Sequence, residues 1–262
     1  QARDTVDVLF IGNSYVYYNN LADQLEGLSR AMEAGPILRT AHHLHGGFTL
    51  LRHLEDGHLP NVIEGGGPDG REWDVVVIQE HSRLGVAYAD ETTGRLGSDR
   101  GFRDGLAGVM ALVRPTGARV VLYQTWAKAA WPLQAEPLAQ AYEQAARDYG
   151  VTVAPVGRAW ARVRAAHPEI ELFHPDGSHP SPAGSYMAAA VIYGTLADRS
   201  PIGAPTRLSG VEMETPGVVV SDEPVTLVDL SSETAAALQT AAWATVDGTA
   251  HSTDVPSGSE SR

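Results

Sequence analysis

The stretch Val6-Asp7-Val8-Leu9-Phe10-Ile11-Gly12-Asn13-Ser14-Tyr15 decides how the chain is read. Its first six residues are rich in β-branched side chains and apolar on both faces, the pattern of a strand buried inside a parallel sheet. A Gly that permits a tight turn and a Ser follow directly. Ligands and reactive groups of open α/β sheets gather at the carboxyl ends of the strands. Ser14 therefore stands where a nucleophile would stand, with its own N–H able to face a developing oxyanion. The plainer reading is a polar residue capping the next turn, and G-N-S alone does not separate the two.

Three further runs share this character, Val75–Ile78, Val120–Tyr123 and Val151–Val156, and Ile37–Leu44 is a weaker fifth. Helical periodicity fills the intervals. Leu21, Leu25, Leu28 and Met32 fall on one face, with Asn20 as N-cap and Gly35-Pro36 as the stop. Further helices are predicted over Asp99–Val113, Glu136–Tyr149, Arg158–Ala166, Pro182–Ala197 and Ser232–Val246. Strand and helix alternate, which means βαβ units around a parallel sheet. Residues 199–230 break the rhythm with Pro201, Pro205, Pro216 and Pro224 and read as an irregular excursion. A single domain over 4–248 is expected, followed by a disordered Ser/Gly/Pro-rich tail over 249–262. No internal repeat is present.

Composition narrows the function classes. The 262 residues include 19 basic and 32 acidic ones, a net charge of −13, which argues against a nucleic-acid or anionic-membrane surface. Hydrophobic residues at 43% and charged residues at 19% describe a globular chain rather than a disordered one. There is no cysteine, hence no disulfide, thiolate ligand or cysteine nucleophile. Lys128 is the only lysine. Residues 177–197 carry no formal charge but open with Gly, Ser, His and two prolines, so they are not read as a membrane span. The sequence starts at Gln1 without an initiator Met, a basic n-region or an apolar h-region. That is compatible with a mature, secreted form and leaves the compartment undetermined.

The second chemical feature is Asp176-Gly177-Ser178-His179, followed by Pro180-Ser181-Pro182 and an apolar helix. Ser181 as N-cap with Pro182 at the first helical position fixes where this loop ends. An Asp three residues before a His can accept from the imidazole and hold its tautomer, leaving the other ring nitrogen as a general base. Loop-stabilising polar residues are the plainer reading. The companion Ser14 tips the balance toward chemistry.

With these residues in order the chain resembles the SGNH hydrolases, the superfamily of G-D-S-L-type lipases and esterases. That family places a Ser after the first strand, a Gly after the second, an Asn after the third and a closing D-x-x-H. The corresponding positions here are Ser14 in F-I-G-N-S, Gly47 in H-G-G-F-T, Gln79 in V-V-V-I-Q-E-H-S, and Asp176 with His179 in D-G-S-H-P-S. Asn13 replaces the family's usual Asp, and Gln79 replaces its Asn, so the chain is similar to a divergent bacterial branch. The resemblance implies a three-layer α/β/α flavodoxin-like fold with about five parallel strands. It implies a Ser14–His179–Asp176 triad and an oxyanion hole of the Ser14 and Gly47 N–H groups and the Gln79 amide, with Gly46 as the alternative to Gly47. The expected activity is a serine esterase on small acyl esters, above all acetyl groups on carbohydrates. A lipase or thioesterase and a catalytically degenerate glycan-binding domain are the alternatives.

Around this set lie further polar residues. Glu80, His81 and Arg83 follow the third strand on the same rim and are expected to shape the substrate site, with polar surface as the plainer reading. His42, His43 and His45 cluster, with His53, His58 and His81 nearby in sequence. His43 and His45 would share a strand face, as two zinc ligands do. There is no H-E-x-x-H and no carboxylate within the cluster, so pocket-lining or solvated histidines are expected, with no metal, no cofactor and no effect of chelation on the rate. Trp126, Trp131 and Trp160 could stack on a sugar, but core packing is the expectation for each. The partner is then a small-molecule or glycan ester, and the oligomeric state is open.

Overall fold

Alternate residues of the first strand leave the sheet on opposite faces, and this divides the core in two. The computed structural model describes residues 3–67, 69–84, 88–90, 95–214 and 218–252. In it Val8 and Phe10 of β1 (Thr5–Gly12) enter one apolar cluster, and Leu9 and Ile11 enter a second. The same parity runs through β2 (Ile37–Leu44), β3 (Val75–Ile78), β4 (Arg119–Tyr123) and β5 (Thr152–Ala154). Val75, Val77 and Val121 join Val8, whereas Val76, Ile78 and Leu122 join Leu9.

The strand order is β2-β1-β3-β4-β5, and every neighbouring pair is parallel. The chain winds one way from β1 to β2 and the other way from β3 onward. The crevice at the carboxyl end of β1 is therefore the topological switch point where ligands bind in such sheets.

Helices cover both faces. After the single turn α1 (Ser14–Tyr17), α2 (Leu21–Ala31) packs on the first face, while α3 (Leu50–Glu55), α4 (Leu59–Gly65), α5 (Arg100–Val113) and α6 (Ala135–Tyr149) cover the second. α7 (Val156–Ala166), α8 (Pro182–Ala197) and α9 (Ser232–Ser252) return to the first face. α8 is buried on nearly every side because α2, α7 and α9 all pack against it. That is why its sequence carries no polar stripe. No helix of the described residues is long and apolar enough to cross a membrane.

Two expectations are corrected. Residues 199–230 are not irregular throughout: they hold an antiparallel hairpin, β6 (Arg207–Glu214) with β7 (Val218–Asp229). Pro224 is tolerated because it falls between Ser221 and Val225, where the register shifts and the ladder is locally broken. The last helix runs to Ser252, six residues beyond the predicted Val246, so the first part of the expected tail is helical. Residues 253–262 lie outside the described part.

Candidate active site

Ser14 and His179, 165 residues apart in sequence, meet at the switch point. The His179 Nε2 lies 2.9 Å from Ser14 Oγ, and its Nδ1 lies 2.6 Å from Asp176 Oδ2. The second carboxylate oxygen of Asp176 accepts from the Ser178 N–H at 2.8 Å and the His179 N–H at 2.9 Å. Burial raises the Asp176 carboxyl, but the hydrogen bonds from the His179 imidazole and these two amides outweigh it and hold it well below the usual carboxylate range. A permanently ionised Asp fixes the imidazole with Nδ1 protonated and Nε2 turned to the hydroxyl.

The loop carrying Asp176 and His179 is fastened from several sides. The Trp126 Nε1–H donates to Ser178 O at 3.0 Å, and Tyr15 and Ser178 share a hydroxyl–hydroxyl hydrogen bond of 2.8 Å. The Asn19 amide donates to Pro180 O at 3.0 Å and to Ser185 Oγ at 2.9 Å. Below the loop, Tyr15 stacks on Trp126 and Trp126 on Trp160, with centroids 4.6 Å and 3.9 Å apart. Trp126 and Trp160 are each 1% exposed, so they support the site from the core and offer no sugar platform. Trp131 is half-buried, with the Lys128 ammonium 5.6 Å from its ring centroid.

Above Ser14 opens a cleft of about 420 Å³ whose lining includes Tyr18, Gly46, Gly47, His81 and Lys128. A larger cleft of about 620 Å³, along Arg164, Phe173 and Pro182, contains neither Ser14 nor His179. Gly47 is the third residue of a turn closed by the Phe48 N–H to His45 O bond, and its φ of +69° is the left-handed value that favours glycine. Among the described residues, neither the Ser14 nor the Gly47 backbone N–H has an acceptor within the protein.

Gln79 departs from the expected oxyanion donor. Its Oε1 accepts from the Asn13 N–H at 3.0 Å, its amide nitrogen donates to Glu80 O, and the side chain is 1% exposed. The extra methylene lets the amide curl back onto the backbone beneath Ser14. Gly12 makes room for it. A Cβ there would sit 2.6 Å from Gln79 Oε1, so this glycine answers to close approach rather than to a turn.

Glu80 also leaves the rim. It is 0% exposed and accepts from the N–H of Leu50, the first residue of α3, and from the His81 N–H. Burial pushes its carboxyl up to about 7, against the lowering effect of those two amides. His81 does line the cleft, and burial, with the charges of Arg83, Lys128 and His179, lowers its imidazole to about 4. Arg83 lies beside it, its N–H on His81 Nδ1 at 3.2 Å, outside the residues lining the cleft.

Sequence reasoning missed Tyr18 and Lys128. Tyr18 lies flat on the His179 ring, and Lys128 lines the cleft, its amine pKa lowered first by burial and then by the charge of Arg83. Nothing in the local sequence pointed to either beyond the aromatic run Tyr15–Tyr18 and the singularity of the lysine. The histidines divide. His43 and His45 are joined by His53 of α3, whose ligating atoms and theirs all lie within 4.8 Å of one another. His42, His58 and His81 stand apart from that group.

No protein-family model matches the chain, and no curated protein matches it. Solved structures do. A DUF4886 family protein from Bacteroides uniformis is 20% identical over 93% of this chain and 95% of its own, with a TM-score of 0.64. A candidate SGNH hydrolase from Slackia heliotrinireducens is 29% identical over 74% of this chain and all of its own, at a TM-score of 0.54.

The chain has an SGNH-like fold. The acetylxylan esterase Axe2 of Geobacillus stearothermophilus has a similar structure, at 16% identity, covering 73% of this chain and 94% of its own with a TM-score of 0.55. The sheet order and the flanking helix layers are those expected of an SGNH-like fold.

Proposed function

We propose that this chain is a serine esterase that hydrolyses small acyl esters through an acyl-enzyme. The observation that carries the reading is the unbroken relay from Asp176 through His179 to Ser14, opening into a cleft at the switch point of the sheet. His179 Nε2 takes the hydroxyl proton as Ser14 Oγ attacks the ester carbonyl. The negative charge that develops on the carbonyl oxygen is met by the Ser14 and Gly47 N–H groups, which have no other acceptor among the described residues. The tetrahedral intermediate collapses by expelling the alcohol, which takes its proton from His179. Water, deprotonated by the same nitrogen, then attacks the acyl-serine and releases the acid.

The cleft sits near the low end of ligand-pocket volumes, which favours a short acyl group. Its rim of Tyr18, His81 and Lys128 suits a polar alcohol such as a sugar. The likeness to an acetylxylan esterase points the same way, by analogy of fold alone. Acetyl groups on carbohydrates are accordingly the leading substrates. Asn13 and Gln79, in place of the family's Asp and Asn, would suit a degenerate glycan-binding domain, but the connected triad argues against that alternative. Hydrolysis of p-nitrophenyl esters of increasing chain length, alongside acetylated oligosaccharides, tests the proposal. Turnover that peaks at acetate supports it, and no turnover of any ester by folded protein refutes it.

A further inference from the structure

We propose that His43, His45 and His53 form a binding site for one divalent transition-metal ion, with Zn2+ the best match to the donors. Three elements build it. His43 is the penultimate residue of β2, and His45, just past the strand's end, brings its ring to within 4.9 Å of the His43 ring, centroid to centroid. His53 reaches them from α3, with its ring centroid 5.1 Å from that of His43 and 5.7 Å from that of His45. The ligating atoms of all three fall within 4.8 Å of one another.

Two independent features say that the nitrogens are prepared for an ion rather than merely packed. His53 is 1% exposed, and its Nδ1 is buried with no hydrogen-bond partner; the same is true of His43 Nε2. A buried polar atom without a partner costs free energy that the fold normally avoids. The other nitrogen of His53 lies 2.9 Å from Gly12 O. A carbonyl only accepts, so Nε2 carries the proton and Nδ1 presents its lone pair. A ligating histidine held by its second nitrogen on a backbone carbonyl is the usual arrangement around zinc.

Three imidazoles and no carboxylate or thiolate in the group make an N3 set, which suits zinc with a fourth, exchangeable position. Zn–N bonds of about 2.0–2.1 Å place tetrahedral donors about 3.4 Å apart, so modest ring rotation closes the cluster on an ion. The place is structurally meaningful. The His45 N–H donates to Gly12 O, the same carbonyl that receives His53, and His45 leads directly into Gly46 and Gly47. An ion here would pin the turn bearing Gly47 to the end of the strand that leads to Ser14. Ser14, His179 and Asp176 already form a complete relay, so no bond-making step passes through the metal.

The test is metal binding by the whole, chelator-stripped protein, read without turnover. Titration with ZnCl2 should show one ion per chain with a Kd of about 1 µM or tighter, and CoCl2 should give the intense visible absorption of four-coordinate cobalt. His45→Ala, at a half-exposed position, should weaken Zn2+ binding by roughly 100-fold or more and abolish that absorption. His43→Gln is the second variant should the first fail to fold by circular dichroism. His42→Ala and His179→Ala should bind as the unaltered chain does. A Kd weaker than about 10 µM, binding unchanged in the folded His45 and His43 variants, or binding lost in His179→Ala would overturn the proposal.

Discussion

The phenol ring of Tyr18 lies flat on the imidazole of His179, with ring centroids 4.0 Å apart and planes 7° from parallel. Tyr15 meets the same imidazole edge-on at 5.6 Å. Asp176 fixes one end of the His179 ring, and these two aromatics fix its plane. An aromatic pair of this kind contributes about 0.5–1.5 kcal/mol beyond its burial. If that energy holds the imidazole in line with Ser14, Tyr18→Ala should lower kcat by roughly threefold to tenfold. Tyr18→Phe keeps the ring and should stay close to the unaltered rate. Steady-state kinetics on both variants decides: equal losses in the two would assign the effect to the hydroxyl instead.

Gln79 illustrates how a motif position can be occupied by a different job. Its carbonyl oxygen satisfies the buried Asn13 N–H, immediately before Ser14. Gln79→Ala leaves that donor unpaired, which costs about 1–3 kcal/mol of stability. Urea unfolding should register that loss, while kcat falls by less than about tenfold. A loss of kcat of about 10²–10³ at unchanged stability would return the amide to the oxyanion hole.

Glu80 links stability to pH. Its folded carboxyl is raised from 4.5 to about 7, so between those values the folded chain holds a proton that the unfolded chain has released. Unfolding releases that proton, and stability drains away as pH rises through this window, by about 3 kcal/mol in full. Glu80→Gln has no such group. The stability of Glu80→Gln relative to the unaltered chain should therefore climb from pH 5 to pH 8, by about 2–3 kcal/mol. His53, lowered to about 4, acts with the opposite sign but is common to both proteins and cancels. Urea titrations at a series of pH values test this, and a difference independent of pH would refute it.

Much of this arrangement was legible in the residues. Four of the five strands announce themselves because buried parallel strands need apolar side chains on both faces, whereas the edge strand Ile37–Leu44 carries a weaker signal; it and Val75–Ile78 begin and end where the sequence reading put them. Pro182–Ala197 was equally plain, since Ser181 caps it and Pro182 starts it. Ser14, Asp176 and His179 could be paired because each sits beside a strand end or helix start that fixes its place. What stayed hidden depended on which way a side chain turns, or on contacts distant in sequence. Gln79 and Glu80 follow the same strand, yet one curls under Ser14 and the other runs to the start of α3. The hairpin of β6 and β7 was obscured by Pro224, which a shift in register absorbs. His53 meets His43 and His45 only because α3 folds back over the end of β2, which no spacing rule foretells.

If His179 makes Ser14 a nucleophile, a fluorophosphonate will modify that serine. Such a reagent phosphonylates an activated serine hydroxyl and expels fluoride, and intact-mass spectrometry counts the adducts. We expect one adduct per chain, mapped to Ser14 by peptide sequencing, absent from folded Ser14→Ala and slowed by about three orders of magnitude or more in folded His179→Ala. Failure of the folded protein to react, or an adduct on any other residue, would show that His179 does not activate Ser14.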